Sequence, residues 1–176
     1  MNSMLSVVPI VTFIVVIIIV PAISIGALIL LSYHAFTKVR PPIGRFAPVA
    51  VALGLSVLVP IVSRFSLLVD SVVIAMGVLT PFMAADTYLP DRYRYTILFL
   101  GSVVAVSGRL IWGFAGAFGG GAGSPIFLLL TAISSSDAGL LILGSIALYL
   151  EMVLISALIF GAIFVIAAAS RKYAAD

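Results

Sequence analysis

Three charged side chains of this sequence, Asp70, Arg109 and Glu151, lie inside long apolar runs. Ionised groups are rare and energetically expensive within a membrane, where they usually pair with one another or mark a pathway for protons, ions or substrates. Arginine keeps its proton at every accessible pH, so Arg109 is a poor proton relay, whereas Glu151 can gain and lose a proton. Two roles are therefore open: an ion pair that fixes helix packing or a subunit contact, which we favour, and a transport pathway.

Helical geometry predicts that two of these charges lie at similar depths. Arg109 precedes Gly119 by ten residues, which places it about 15 Å from the outer end of its helix. Glu151 follows the start of the last predicted helix by twelve residues, about 18 Å from that helix's outer end. Asp70 lies only about 6 Å below the start of its helix, within reach of the headgroups or of Arg64. The sequence therefore predicts an Arg109–Glu151 pair, with Asp70 as a weaker, outer member.

The residue types that hold cofactors are missing or isolated. The chain has no cysteine, which excludes disulfides, thiolate metal sites and iron–sulfur clusters. His34 is the only histidine, so this chain alone cannot hold a haem between two histidines or build a zinc or copper site. We expect no catalytic residue, no metal site and no cofactor. His34 is then an interfacial residue at the end of a span, the alternative being a cofactor site shared with another subunit.

A glycine-rich stretch, AGAFGGGAG, follows the run that contains Arg109. A phosphate-binding loop would need a following Lys-Ser or Lys-Thr and a preceding strand, and neither is present. Gly113 and Ala117, together with Gly116 and Gly120, place small residues four positions apart, which lets another helix backbone approach closely. We therefore predict helix packing by these residues. The four glycines within Gly119–Gly123 predict that the helix ends there.

The composition requires an integral membrane protein. Of the 176 residues, 64% are hydrophobic and 9% are charged, whereas a soluble domain has about 45–50% apolar and about 25% charged residues. The net charge of +3 therefore does not indicate a nucleic-acid partner. Asn2 is the only asparagine and there is no glutamine, which is a mark of thermophile proteins. Apolar membrane chains are poor in amides anyway, so both explanations stay open.

The apolar runs predict an all-α polytopic bundle that forms a single domain over residues 1–176. The first run, Leu5–Tyr33, is too long for a signal-peptide core and is expected to be a retained helix, kinked at Pro21. Residues 124–136 are too short to span and are expected to form an outer half-helix, with Ser136 or Asp137 capping the next helix. The five predicted spans are Ser6–Ser32, Phe46–Val62, Leu67–Ala85, Arg94–Phe118 and Gly139–Ser170.

The basic residues predict the orientation. Lys38, Arg40 and Arg45 form the most basic loop, which the positive-inside bias places in the cytoplasm. The N-terminus is then outside, the C-terminus is cytoplasmic, and the protein is a multi-pass protein of the cell membrane. A sixth span at 124–136 would move two basic residues at the C-terminus outside, so five spans are preferred. With five spans the remaining loop cations on the inner side are Arg92, Arg94, Arg171 and Lys172.

In bulk composition the chain resembles the small, charge-poor subunits that surround catalytic cores in respiratory complexes. This resemblance implies a non-catalytic accessory subunit of an energy-transducing membrane complex. Its partners would be other integral membrane subunits and the lipid bilayer, with no nucleic acid. The alternative is a small transporter or channel for protons, ions or a small solute, using Glu151, Arg109 and Asp70 along an outer cavity. An intramembrane enzyme is least favoured, since no nucleophile–base set is present.

Overall fold

In the computed structural model the described part of the chain is a bundle of five helices without a strand. The structure describes residues 12, 14–39, 43–61, 66–119, 126 and 136–173, although not the side chains of 66, 114–119 and 170–173. The helices are α1 (Val20–Thr37), α2 (Ile43–Leu58), α3 (Ser66–Ala85), α4 (Asp91–Gly119) and α5 (Asp137–Tyr173).

Four helical segments are long and apolar enough to cross a membrane, namely Val15–Thr37, Leu67–Tyr88, Asp91–Gly113 and Asp137–Ala169. The helix α2 is also apolar but has only 16 residues, which gives about 24 Å against a hydrocarbon core of about 30 Å. The helix α5 has 37 residues and at about 55 Å extends beyond such a core. The predicted all-α, multi-pass membrane fold is confirmed, with four long helices and one shorter apolar helix.

The start of α2 differs from the predicted one. The helix begins at Ile43 rather than Phe46, so Pro48 lies in its second turn and not in its first. Gly44 permits this start, because a Cβ at that position would lie 2.5 Å from the carbonyl oxygen of Phe36, near the end of α1. The two helices therefore meet at a tight corner that only a glycine allows at this distance.

Prolines set two further helix boundaries. The helix α2 ends at Leu58, four residues before the predicted end. The reason is Pro60, because a proline disfavours the helical conformation of the residue before it, here Val59. The helix α4 begins at Asp91, directly after Pro90 and three residues before the predicted start. A carboxylate in the first turn interacts favourably with the positive end of the helix dipole, which supports this earlier start.

The first span contains an irregular turn where the sequence predicted a kink. Val15–Ile19 form a π-helical turn directly before α1, and Pro21 is the second residue of α1. The backbone N–H of Val20 donates to the carbonyl oxygen of Val15, five residues earlier. Pro21 lacks an N–H and crowds the preceding turn, which explains why the hydrogen bonds there change from the α-helical to the π-helical pattern.

The central helix of the bundle is α3, which contacts all four other helices. Two glycines permit close packing against α5, one from α3 and one from α4. A Cβ on Gly77 of α3 would lie 2.6 Å from the Cβ of Met152 in α5, and a Cβ on Gly101 of α4 would overlap the ring of Phe160 in α5. Small residues at such contacts let helix backbones approach closely. The buried residues of α3 include Val73, Met76, Val78, Leu79 and Phe82.

One end of the bundle carries most of the described cations. Here α1 ends, α2 begins, and the 3₁₀ turn Asp86–Tyr88 joins α3 to α4. The hydroxyl of Tyr33 donates to Oδ2 of Asp86 at 2.9 Å, which ties the end of α1 to this turn. We call this region the basic end, and its described cations are Lys38, Arg45, Arg92 and Arg94.

The helices α4 and α5 run antiparallel. Gly101 of α4 lies against Phe160 of α5, and eight residues further along α4, Arg109 lies against Glu151. The chain therefore leaves α4 and enters α5 at the end opposite the basic end. The predicted half-helix at 124–136 falls outside the described residues apart from Ile126 and Ser136. The predicted cap is confirmed, because the hydroxyl of Ser136 accepts a hydrogen bond from the third residue of α5 at 3.2 Å.

Candidate functional site

The structure brings together Arg109 and Glu151, the two charges whose depths the sequence matched. Nε of Arg109 lies 2.9 Å from Oε2 of Glu151, and the two side chains retain 25% and 11% of their exposed area. Glu151 lies near the middle of the apolar segment Asp137–Ala169, and Arg109 lies about two thirds of the way along α4, so both charges belong to helices apolar enough to cross a membrane. Neither charge would be tolerated alone at this depth, and each therefore compensates the other.

The pair is close but incompletely satisfied. Nε of Arg109 and Oε1 of Glu151 are buried and have no hydrogen-bond partner among the described residues. The 2.9 Å separation in Arg109–Glu151 is therefore a charge contact whose N–H does not point at the carboxylate oxygen. At this distance the two charges still attract each other, because charge attraction depends little on angle, whereas a hydrogen bond depends strongly on it. The site has capacity for a further polar group.

Gly113 contributes to this site in a way that the sequence did not predict. Its position on α4 is exposed, and a Cβ there would meet only Nη1 of Arg109, at 3.1 Å. Gly113 therefore makes room for the guanidinium group, and its predicted packing against another helix stays a prediction. Gly116 and Ala117 lie in α4 without described side chains, and Gly120 lies outside the described residues, so the packing predicted for them stays a prediction.

The ion pair lines a cleft between α4 and α5 with a volume of about 470 Å³. Apart from the two charges, its described walls are mainly apolar. Trp112 is 68% exposed and Leu154 is 55% exposed, so the cleft opens on the lateral surface of the bundle, towards the surrounding membrane. A largely apolar cavity of about 300–1,000 Å³ with a few polar groups is the usual form of a binding site. Gly108, Ile155 and Ile126, the last from the connection between α4 and α5, complete the described part of the wall.

Asp70 does not join this pair. It lies near the start of α3, and among the described side chains it forms no ion pair with Arg109. Arg64, the neighbour that the sequence suggested for it, lies outside the described residues. The site therefore consists of two of the three intramembrane charges, and the predicted role of Asp70 as a weaker member stays untested.

The polar groups inside the bundle connect helices to one another. The hydroxyl groups of Ser56 in α2 and Ser145 in α5 lie 3.0 Å apart. Thr80 in α3 and Tyr149 in α5 are hydrogen-bonded at 2.9 Å. The hydroxyl of Ser156 also donates to a carbonyl oxygen of α3. These contacts hold α5 against α2 and α3, and in membrane proteins each contributes about 0.6 kcal/mol.

The residues that could bind metals are dispersed. The described residues contain no group of three His, Asp or Glu side chains that could hold a metal ion. His34 is exposed near the end of α1, and its Nδ1 lies 3.4 Å from the hydroxyl of Tyr95. Of the predicted basic loop, Lys38 and Arg45 lie at the basic end and Arg40 lies outside the described residues.

Sequence reasoning missed the two glycines that the packing requires most, Gly77 and Gly101. Their signal was a single glycine within an otherwise large and apolar helical run, which often marks a close approach. The clustered glycines after Arg109 gave a stronger pattern and drew attention away from these isolated ones. Comparison with protein-family models, curated proteins and solved structures finds no match to this chain. The function must therefore be argued from the chemistry of the site.

Proposed function

We propose that this chain is a non-catalytic integral membrane subunit of a larger complex, and that its α4–α5 face contacts a neighbouring membrane subunit. The Arg109–Glu151 pair anchors that contact at mid-membrane depth. An energy-transducing complex is the setting that the charge-poor composition favours.

One observation carries this proposal: a charged pair lines a lateral cleft in an apolar surface, and behind that surface two buried polar atoms of the pair have no hydrogen-bond partner among the described residues. A buried polar atom without a partner is costly in hydrocarbon, where water cannot replace the missing bond. A neighbouring helix that filled the cleft with a hydrogen-bonding side chain would remove that cost. Interhelical hydrogen bonds of this kind are a common source of specific association in membranes.

The geometry gives less support to a transport pathway. Such a pathway needs a chain of polar or ionisable groups that leads from one side of the membrane to the other. The pair lies at the lateral surface, and Asp70 is not linked to it among the described side chains. The described hydroxyl groups of the core are engaged in hydrogen bonds between or within helices. The pair thus fits a contact surface better than a relay.

The test is purification from native membranes in a mild detergent, followed by native gel electrophoresis. The wild-type chain should migrate with other membrane proteins, including chains that carry redox cofactors with visible absorbance. The double variant Arg109→Met/Glu151→Leu removes both charges and should leave the isolated chain folded but dissociated from its partners. Asp70→Asn removes a carboxylate that is not part of the pair and should leave the complex intact.

Two results would overturn the proposal. One is a wild-type chain that migrates only as a monomer or homo-oligomer. The other is a double variant that stays in the complex as firmly as Asp70→Asn. Proton or solute flux in liposomes that depends on Glu151 would support the transporter instead.

A further inference from the structure

A second cavity lies at the basic end, remote from the α4–α5 cleft and independent of the function proposed above. It has a volume of about 240 Å³ and forms where the end of α1, the start of α2 and the turn between α3 and α4 meet. Two arginines from different helices line it, Arg45 of α2 and Arg94 of α4. The other lining residues used below are Phe36, Thr87, Met83 and Asp86.

The guanidinium group of Arg94 is held in place at this cavity. Its Nε donates to the carbonyl oxygen of Leu89 at 3.2 Å, and its Nη1 lies 2.8 Å from Oδ1 of Asp91. The side chain of Asp91 is 88% exposed, so water screens this ion pair and a stronger anion can compete for the arginine. Arg94 is therefore oriented by the backbone while its charge stays available to a ligand.

The acidic residue in the wall, Asp86, is already engaged. Its Oδ2 accepts the hydrogen bond from Tyr33, a buried side chain that makes edge-on contacts with the rings of Phe82 and Tyr95. This bond directs one carboxylate oxygen towards α1. The described charges at this end are positive in excess, with Lys38, Arg45, Arg92 and Arg94 against Asp86 and Asp91.

We propose that this cavity binds a phosphate group, and that the source is the headgroup of an anionic phospholipid. Arg45 and Arg94 contact the phosphate oxygens from two sides, because guanidinium groups match phosphate geometry and remain charged. The hydroxyl of Thr87 lies in the same wall and can donate to the headgroup. Phe36 and Met83 supply the apolar surface against which the first part of the lipid chains packs.

Size and position favour a lipid over a larger soluble ligand. A volume of 240 Å³ lies below the usual 300–1,000 Å³ of sites for drug-sized ligands. The cavity lies at the ends of the long apolar helices, where headgroups are located. Exposed tyrosines beside it, Tyr88, Tyr93 and Tyr95, are typical of that membrane level. Basic pockets between helices at this level are known sites for anionic headgroups.

The experiment measures lipid binding to the purified full chain by native mass spectrometry in detergent. Phosphatidylglycerol and phosphatidylcholine are added separately at rising concentrations, and the dissociation constant of the first bound lipid is determined. The wild type should bind phosphatidylglycerol more tightly. Arg45→Gln and Arg94→Gln should each weaken that binding about tenfold, the effect of losing one charge-assisted hydrogen bond. Arg45→Lys should weaken it less, because it keeps the charge.

Arg92→Gln is the matched control. Arg92 lies on the same helical turn as Arg94 and carries the same charge, but it stands over the ring of Tyr93, at 4.5 Å from the ring centroid, and does not line the cavity. This control should change binding less than threefold. Should Arg94→Gln fail to fold, as judged by circular dichroism, the exposed Arg45 provides the test from the other wall.

Three results would overturn the proposal. If Arg92→Gln weakens binding as much as Arg45→Gln, the attraction is diffuse and no pocket is involved. Equal affinity for the two lipids, unaffected by Arg45→Gln, would exclude an anionic headgroup. In a third arm, potassium phosphate is compared with potassium chloride at equal ionic strength. If phosphate raises the melting temperature only when Arg45 is present, and neither lipid shows preference, the source is a soluble phosphate and the lipid assignment fails.

Discussion

Removing one member of the Arg109–Glu151 pair should destabilise the bundle more than removing both. Glu151→Leu leaves the guanidinium group of Arg109 without a partner in an apolar environment, and this group cannot lose its proton. Arg109→Met leaves a carboxyl group that can be neutralised by taking up a proton, so it should cost less. The double variant Arg109→Met/Glu151→Leu leaves no charge and fills the space with apolar side chains of similar size, which is often neutral for stability.

The size of the effect follows from the geometry. Removing one partner of a buried ion pair typically costs about 3–5 kcal/mol. Two unit charges about 4 Å apart interact by roughly 4 kcal/mol at an effective dielectric constant of 20. The contact in Arg109–Glu151 lacks a well-directed hydrogen bond, and Arg109 keeps 25% of its exposed area. We therefore expect Glu151→Leu to lower the free energy of unfolding by about 3 kcal/mol, the lower end of this range. The expected coupling energy between Arg109 and Glu151 is about 2–3 kcal/mol.

The assay is reversible unfolding in mixed detergent and dodecyl sulfate micelles, followed by the helical circular dichroism signal. The coupling energy comes from a double-mutant cycle, which compares wild type, the two single variants and the double variant. The control cycle pairs Arg109→Met with Asp70→Leu, and it should be additive within about 0.5 kcal/mol because Asp70 does not contact Arg109.

A coupling energy between Arg109 and Glu151 below about 0.5 kcal/mol would contradict this prediction, because the two charges would then be independent in the folded bundle. The same conclusion would follow if the control cycle showed as much coupling as the Arg109–Glu151 cycle.

Three further predictions follow from the packing, the topology and the helix cap. Gly77→Ala should destabilise the bundle by about 1–3 kcal/mol, because the new Cβ would lie 2.6 Å from the Cβ of Met152. The control is Gly161→Ala, because a Cβ at that position has nothing within 4 Å. Equal melting temperatures for the two variants would contradict this packing. The chain has no cysteine, so Ser136→Cys and Asp91→Cys can be labelled singly with an impermeant maleimide in oriented vesicles. They should react from opposite sides, with Asp91→Cys on the cytoplasmic side, and reaction from one side would contradict the topology. Ser136→Ala should lose about 1 kcal/mol with its cap bond, measured as faster hydrogen exchange in the first turn of α5; unchanged exchange would show that the cap contributes nothing.

The helices could be predicted closely because apolar length is a local property. The predicted Leu67–Ala85 differs from α3 by a single residue at its start. The starts of α2 and α4 were each predicted three residues late. In both cases a proline stands directly before the helix in the sequence. Whether the first turn after that proline is helical depends on the parts of the chain that pack against it. For α2 that neighbour is the end of α1, which approaches Gly44 closely.

The pairing of Arg109 with Glu151 could also be predicted, since helical rise converts position in the sequence into depth. Rise alone gives no angular position around the helix axis, so the lateral cleft and the unsatisfied Nε of Arg109 were not predictable. Similarly, the spacing of Gly113 to its neighbours suggested packing against another helix. In the structure the long side chain of Arg109 reaches towards the C-terminal end of α4 and lies beside Gly113.

Composition and the lengths of the apolar runs were enough to predict an all-α membrane bundle with a cation and an anion inside its apolar helices, because hydrophobicity and charge act residue by residue against the solvent. The structure was needed to show that Gly77 lets α5 approach α3, that Gly101 of α4 makes room for Phe160, and that the ion pair lines a cleft at the surface of the bundle. It also decided that Arg45 and Arg94, 49 residues apart in the chain, line one cavity. These features depend on how the helices rotate and lean against one another, and contacts distant in sequence set those angles.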